Sequence, residues 1–189
     1  MSFPEVRIAL PTWVESAATV DRVYDSVEDR MRLAIDVSRQ NVEQGTGGPF
    51  GAAVFETGTG RLVSVGMNLV VASHNSTLHA EMVALMIAEH RLASHTLRDP
   101  KFPDHEIVTS CDPCAMCLGA MLWSGVRRLV CGADRDDARV LGFDEGPVFA
   151  ESYGYLEERG IEIVRGVLRE TARAVLQQYS GGGGVIYNG

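Results

Sequence analysis

The chain has 189 residues, of which 46% are hydrophobic and 22% are charged, and its formal net charge at pH 7 is −8. This length and composition predict one soluble domain with a single sizeable core, and no apolar run approaches the roughly 18 residues that a membrane span needs. The acidic balance argues against non-specific nucleic-acid binding, which depends on basic residues, and favours a small-molecule substrate.

The N-terminus (Met1–Glu5) lacks the basic patch and apolar core of a secretory signal. Residues 1–20 contain two prolines, so we predict an irregular N-terminal lead-in that packs on the core through Phe3, Leu10 and Trp13. Three of the four cysteines fall within seven residues. This spacing argues against a disulfide framework and favours metal binding in a reducing cytoplasm.

Hydrophobic periodicity and turn residues predict alternating helices and strands after the lead-in. The predicted helices cover residues 21–44, 79–94, 113–124, 136–141, 153–159 and 168–179. The predicted strands cover residues 50–55, 62–67, 107–110, 127–132 and 161–164, with a hairpin turn at 57–60. The alternation indicates one layered α/β domain over 21–180, followed by a flexible C-terminal tail at 181–189.

One cysteine-rich segment organises the chain: residues 109–117 read Thr-Ser-Cys-Asp-Pro-Cys-Ala-Met-Cys. Pro113 suits the first position of a helix, because its missing N–H has no intrahelical partner there. Cys114 and Cys117 would then place both sulfurs on one face of the first turns. A helix N-terminus favours thiolate over thiol, so these cysteines form half of a site for a soft metal.

His79 is the expected other half, because it starts an apolar helical pattern of its own. One imidazole and two thiolates leave one position of tetrahedral zinc open to water, which is typical of catalytic zinc. Glu81 lies two residues further, where a helix turns it away from His79, so we expect it beside that water. His-x-Glu followed by Pro-Cys-x-x-Cys is typical of zinc deaminases that act on nucleobases.

These residues resemble the cytidine deaminase superfamily and, within it, the bacterial guanine deaminases. The resemblance covers roughly residues 25 to 150, and the ending at 185–188 is similar to the tail of one guanine deaminase branch. The segments that carry it are 48–52, 66–68, 79–81, 109–120, Trp123 and 142–145. The chain departs from the usual pattern at Asp112, at Asn75-Ser76 and at Leu78, which bears on the identity of the substrate.

The resemblance implies a three-layer α/β/α sandwich with a five-stranded mixed sheet, whose first two strands are antiparallel. It implies one Zn²⁺ between two helix N-termini, held by His79, Cys114 and Cys117. The implied reaction belongs to purine metabolism and converts guanine to xanthine and ammonia. Members commonly form homodimers, and the C-terminal tail closes over the active site, sometimes in exchange with the partner.

The resemblance also assigns roles to residues around the metal. Glu81 would shuttle protons, and Glu145 would be a second acid facing the amino group of the substrate, with Asp144 as the alternative. Asn68 would hydrogen-bond the base edge, and Tyr187 would belong to the lid. The aromatic residues expected to line the purine slot are Phe50, Trp123 and Phe143.

Other cysteines and histidines are expected to be structural. Cys111 is predicted to be a packed thiol and Cys131 a core residue, whereas His74, His90, His95 and His105 are expected to be surface or capping residues.

Several alternatives remain open at this point. Cys111 and Cys114 could form a redox pair, which would leave His79 and Cys117 unused. The same zinc machinery could deaminate ammeline, cytosine or a cytidine-type nucleoside. A tRNA-adenosine deaminase is disfavoured because the chain lacks a basic arm, and Glu81 argues against a zinc module without catalysis.

Overall fold

The computed structural model describes residues 3–188, and Met1, Ser2 and Gly189 of the predicted lead-in and tail lie outside them. The helices are α1 (Val14–Ala17), α2 (Val27–Glu43), α3 (Ala80–Leu92), α4 (Ala115–Ser124), α5 (Arg135–Arg139), α6 (Ala150–Glu158) and α7 (Arg169–Gly181). The strands are β1 (Gly51–Glu56), β2 (Leu62–Met67), β3 (His105–Cys111), β4 (Arg128–Ala133) and β5 (Glu162–Val164). Apart from the start of α2 and the addition of α1, these bounds differ from the predicted ones by three residues or fewer.

The five strands form one mixed sheet in the order β2-β1-β3-β4-β5. Strand β1 is antiparallel to both β2 and β3, whereas β3, β4 and β5 are parallel to one another. Strands β2 to β5 therefore all end at the same edge of the sheet, which we call the carboxyl edge. Ligands of open α/β sheets usually bind outside the carboxyl ends of the strands.

Helices cover both faces of this sheet, so the predicted three-layer α/β/α fold is confirmed. On one face α2 and α7 bury Met31, Ile35 and Leu176 in a core with Val130 of β4. On the other face α3 and α4 form the second core, which includes Met121. Among residues 3–188, no helix combines the length and apolar character that a bilayer crossing requires.

Helix α2 starts six residues later than predicted. Ser26 caps it, because its side chain accepts a hydrogen bond from the Asp29 N–H at 3.1 Å. The preceding residues instead extend the sheet region: the Asp21 N–H donates to Leu62 O at 3.0 Å, and the Leu62 N–H donates to Arg22 O at 2.9 Å. Backbone partners outside the helix therefore outweigh the apolar spacing there.

Helices α3 and α4 start one and two residues later than predicted. His79 itself is the N-cap of α3, whereas Asn75 closes a turn by accepting from the Thr77 N–H at 3.0 Å. Helix α4 begins at Ala115 and not at Pro113, because the chain stays extended through Cys114, the N-cap, with φ −72° and ψ 173°. Gly125 ends α4 in the left-handed region at φ 81°, as predicted.

Glycine allows α3 to lie directly on β2. A Cβ at Gly66 would lie 2.2 Å from Ala80 O, at the first turn of α3. Any larger residue at Gly66 would push the start of this helix, and His79 with it, away from the sheet.

Two expectations for individual residues are wrong. Phe3 is fully exposed, whereas Leu10 and Trp13 do pack on the core as predicted. His105 is buried in β3, where its Nδ1 lies 3.2 Å from Leu97 O, so it is not a surface residue. Cys131 is a buried residue of β4, as expected.

Candidate active site

His79, Cys114 and Cys117 converge between the N-termini of α3 and α4. The Cys114 Sγ lies 3.5 Å from His79 Nδ1, and the Cys117 Sγ lies 3.8 Å from the same nitrogen. All three donor atoms lie within 4.8 Å of one another, and no other group of His, Cys, Asp or Glu within residues 3–188 meets the same criterion. Two helix starts that are 35 residues apart in sequence therefore meet at one point.

The distances fit a zinc ion. Tetrahedral zinc with Zn–S bonds of about 2.3 Å and Zn–N bonds of about 2.0 Å separates its sulfur and nitrogen ligands by roughly 3.6 Å. The observed Sγ···Nδ1 distances of 3.5 and 3.8 Å match that separation. One nitrogen and two sulfurs are also a donor set that zinc prefers, and this set leaves a fourth position for water.

The electrostatics of the cysteine pair favour a thiolate at Cys114 and a neutral thiol at Cys117. A hydrogen bond from Cys117, together with contacts to His79, lowers the pKa of Cys114 to about 4. The contact with Cys114 and burial raise the pKa of Cys117, because a second thiolate would lie beside the first. A cation between the two sulfurs removes that repulsion, so the pair is suited to a divalent metal.

A small closed cavity of about 30 Å³ adjoins the three donor atoms. A space of this size holds a water molecule but is far below the roughly 300 Å³ of the smallest usual ligand pockets. Its walls bring together residues from six separate segments. They are Phe50, Asn68, His79, Glu81, Asp112, Cys114, Phe143, Asp144, Glu145 and Tyr187.

Two buried carboxyl groups face this cavity. Glu81 is 6% exposed and Glu145 is 7% exposed. Burial and the neighbouring Cys114 raise the pKa of Glu81, while His79 opposes the shift. Burial, Cys114 and Glu81 raise the pKa of Glu145 to about 8. Glu145 can therefore hold a proton near neutral pH, which most carboxyl groups cannot.

Asp144 has a different environment from its neighbour. It is exposed, and its Oδ1 accepts from the Gly146 N–H at 2.9 Å. Its own N–H donates to Asn188 Oδ1 at 2.8 Å. Asp144 therefore shapes the loop and holds the tail, while Glu145 points inward.

Polar and aromatic side chains form the rest of the wall. Asn68, the first residue after β2, is 1% exposed and its Oδ1 accepts from the Val70 N–H at 3.2 Å. Phe50 and Phe143 meet edge to face, with ring centroids 5.1 Å apart. A flat heterocycle between such groups would gain stacking on its faces and hydrogen bonds at its edge.

The C-terminal tail forms the roof of the cavity. The Tyr187 ring packs on Phe143 at 5.4 Å, and the Asn188 Nδ2 donates to Gly142 O at 2.9 Å. Tyr179 of α7 supports the tail through its hydroxyl, which donates to Val185 O at 2.8 Å. The tail therefore packs on the site of its own chain in this structure.

Outside this roof lies a larger pocket of about 390 Å³. His79, Cys114, Glu145 and Tyr187 are among the residues that line both spaces, so the outer pocket reaches the metal donor atoms even with the tail closed. Moving Tyr187 would join the small cavity to the outer pocket and give a purine-sized ligand room beside Glu81.

Trp123 does not belong to the cavity of its own chain. It lies near the C-terminal end of α4, 84% exposed, and it is absent from the residues that line the cavity. The expectation that it lines the purine slot is wrong for a single chain, because the helix carries residue 123 away from the N-terminal turn that holds Cys117.

Sequence reasoning missed Arg165, whose guanidinium pairs with the buried Asp112. It also gave Asn188 no role, although Asn188 holds the tail in place. A signal for Arg165 existed: it is the first residue after β5, just as Asp112 is the first after β3. Residues in that position at a carboxyl edge are candidates for a site.

Comparison with known proteins agrees with this geometry. The family described as the cytidine and deoxycytidylate deaminase zinc-binding region matches residues 25–133. The chain is 34% identical over 143 residues to the guanine deaminase of Bacillus subtilis (strain 168), covering 76% of this chain and 87% of that protein.

Solved structures extend the similarity to nearly the whole chain. A guanine deaminase from Nitrosomonas europaea superposes with a TM-score of 0.89 and 43% identity, covering 94% of this chain and 97% of that one. NE0047 in complex with 2,6-diaminopurine gives a TM-score of 0.90 and 45% identity, covering 96% of each chain.

Proposed function

Because the chain belongs to the cytidine and deoxycytidylate deaminase family, we propose that it is a zinc-dependent aminohydrolase that converts guanine and water to xanthine and ammonia. The observation that carries the proposal is the meeting of His79, Cys114 and Cys117 beside Glu81 in a cavity. The similarity to guanine deaminases over most of the chain supports guanine as the substrate.

His79, Cys114 and Cys117 would hold the zinc, which when bound lowers the pKa of a water molecule and makes it a nucleophile near neutral pH. Glu81 would accept a proton from that water and pass it to a ring nitrogen of the base. Its burial beside the metal ligands supports this role. The water oxygen would bond to C2 of guanine, the carbon that carries the amino group.

Glu145 would supply the proton that lets the amino group leave as ammonia when the C2–N bond breaks. Its raised pKa, about 8, supports this role because the group is protonated at neutral pH. We assign the role to Glu145 in preference to Asp144, because Asp144 is exposed and already engaged with Gly146.

The remaining wall residues would orient the base. Asn68 would hydrogen-bond its edge, and Phe50 and Phe143 would stack on or against its rings. Tyr187 would close behind the base and exclude bulk water. The similarity to guanine deaminases supports a free base over a nucleoside as the substrate.

We also propose a homodimer in the cytoplasm. Exposed apolar side chains on and near α4 and α6 support an association surface: Trp123, Phe149 and Tyr155 are 84%, 62% and 45% exposed. Four free cysteines suit a reducing compartment.

Tail exchange between the two copies would use the glycine run at 181–184 as a hinge. Sedimentation of the chain with and without residues 181–189 would test it.

An ammonia-release panel tests the proposed substrate. The zinc-loaded protein is assayed with guanine, guanosine, ammeline, cytosine, cytidine and adenine, and the zinc-stripped protein serves as the control. We expect release from guanine, none from guanosine, and none without zinc. Ammonia from cytidine but not from guanine would contradict the proposal and favour a nucleoside deaminase.

A further inference from the structure

Four polar residues stand at equivalent places along the carboxyl edge. Asn68, Asp112, Asp134 and Arg165 are each the first residue after a strand, β2, β3, β4 and β5 respectively. The one cation in this row, Arg165, bridges the two acids: its Nε lies 3.1 Å from Asp112 Oδ1, and its Nη2 contacts Asp112 and lies 3.1 Å from Asp134 Oδ2. One guanidinium thus ties three strand ends together.

Asp112 connects this bridge to the cysteine segment. Its side chain is 1% exposed. Its N–H donates to Ala133 O at 2.8 Å, so both its backbone and its side chain are fixed. Only Pro113, whose φ is locked by its ring, separates it from Cys114. Few rotatable bonds therefore separate the fixed Asp112 from the Cys114 sulfur.

A second set of contacts links Arg165 to the loop that carries Glu145. Its guanidinium lies 4.9 Å from the centroid of the Tyr153 ring, and that of Arg135 lies 5.6 Å from the same centroid. Arg135 donates to the Tyr153 hydroxyl at 3.0 Å and to Val148 O at 3.1 Å. Through this stacked layer, Arg165 is connected to the loop that carries Glu145.

From these contacts we infer that Arg165 is a positioning residue of the metal centre, which acts through Asp112 to hold Cys114 in place. The inference rests on the zinc site of the proposed function. Without Arg165, the buried Asp112 carboxylate would lack its bidentate partner and would turn toward water. Cys114 would move with it, and the protein would retain zinc less firmly.

The chain offers a closely matched control in Arg169. This residue also forms a two-point pair with a largely buried acid, with its Nε 2.9 Å from Asp137 Oδ2 and its Nη2 3.1 Å from Oδ1. The side chains of Arg165 and Arg169 are 43% and 45% exposed. Asp137 lies on α5 and accepts a hydrogen bond from the Asp134 N–H at 2.9 Å, but it lies outside the cysteine segment, so loss of its pairing with Arg169 should affect stability without moving Cys114.

The test measures how fast zinc leaves each protein. Unsubstituted chain, Arg165→Met, Arg165→Lys and Arg169→Met are loaded with one zinc per chain and mixed with excess chromogenic chelator. We expect release from Arg165→Met to be about threefold to tenfold faster, below the loss of metal affinity that removal of a direct partner of a metal ligand causes, because Arg165 acts through Asp112. The rate of zinc release from Arg165→Lys should lie between those of Arg165→Met and the unsubstituted chain, because an ammonium pairs at one point only. Arg169→Met should release zinc at the rate of the unsubstituted chain.

Thermal unfolding of the zinc-free proteins separates positioning from general stability. We expect Arg165→Met and Arg169→Met to lower the midpoint by similar amounts while only the former speeds zinc release. Equal release rates for these two variants would overturn the inference. An unsubstituted chain that binds no zinc would overturn the proposed function as well.

A double-mutant cycle provides the second arm, which also serves if Arg165→Met does not fold. Asp112→Asn alone should speed zinc release, and adding Arg165→Lys to it should cause little further change, because both act through one contact. Additive effects of the two substitutions would contradict the coupling.

Discussion

Two carboxylic acids, Glu81 and Glu145, share one small cavity with the Cys114 sulfur. Low exposure and nearby negative charge raise the pKa of both. Removing the charge of one acid eases ionisation of the other, so the pair can divide the work of proton acceptor and proton donor. This division makes separate predictions for each acid.

Glu81→Gln should reduce kcat for guanine by about 10²- to 10⁴-fold, because an amide cannot accept the proton of the attacking water. Zinc content, measured by elemental analysis, should stay at the level of the unsubstituted chain. Glu89→Gln, on the same helix and outside the cavity, is the control and should leave kcat unchanged. Near-normal turnover in zinc-replete Glu81→Gln would disprove the shuttle role.

Glu145→Gln should slow turnover while zinc content stays unchanged, because it removes a proton donor and not a metal ligand. Asp144→Asn should affect kcat much less, since this exposed residue is held by Gly146 and Asn188. Single-turnover ammonia release measures both variants. If Asp144→Asn were the slower of the two, the second acid would be Asp144.

At the scale of elements, the C-terminal tail is held by few contacts. They include the ring packing of Tyr187 on Phe143, two hydrogen bonds of Asn188 and one from Tyr179, and Ile186 and Tyr187 also pack on the core. Opening the tail costs these hydrogen bonds, which are worth roughly 1 kcal/mol each, together with the apolar contacts of Ile186 and Tyr187. This limited attachment suits the proposed lid, which would open and close in each turnover.

Asn188→Ala should therefore favour the open tail and raise KM for guanine about fivefold for the loss of about 1 kcal/mol. The kcat at saturating guanine should change less, because the acids and the metal ligands are untouched. Steady-state kinetics give both values, and faster cleavage of the tail by a protease would report its opening. Gln178→Ala, on an exposed face of α7, is the control. An unchanged KM would show that Asn188 does not hold a functional lid.

At the scale of the whole molecule, a buried cluster of ion pairs and the candidate active site lie at opposite edges of the sheet. Glu106, near the start of β3, is fully buried and pairs with Arg30 at 2.5 Å and with Arg128 at 3.0 Å. The two cysteine ligands, Cys114 and Cys117, follow the other end of the same strand. This separation lets the two edges be tested independently.

Glu106→Gln should lower the free energy of unfolding by about 3 kcal/mol, because it leaves the buried Arg30 guanidinium without its charged partner. Denaturant unfolding measures the loss. Glu162→Gln removes the other, 63% exposed partner of Arg128 and should cost about 1 kcal/mol or less. Folded Glu106→Gln should bind zinc normally. A loss as small as that of Glu162→Gln would show that the buried pair adds little to stability.

The sequence by itself determined the local features. Hydrophobic periodicity fixed most helices and strands, and residue types with strong chemical preferences pointed to the site. His79, Cys114 and Cys117 could be predicted to converge because nitrogen and sulfur ligands at two helix starts suit a single zinc ion. The Gly125 terminus of α4 was also predictable, since glycine readily adopts the left-handed conformation.

Only the tertiary structure decided which distant residues meet. Residues 21–24 lie beside β2 and not in α2 because their backbone groups find partners there, which periodicity cannot reveal. Trp123 points away from the cavity, Tyr187 folds over it, and Arg165 reaches Asp112 across 53 positions in sequence. These contacts depend on strand order and direction, which hydrophobic periodicity along the chain does not specify.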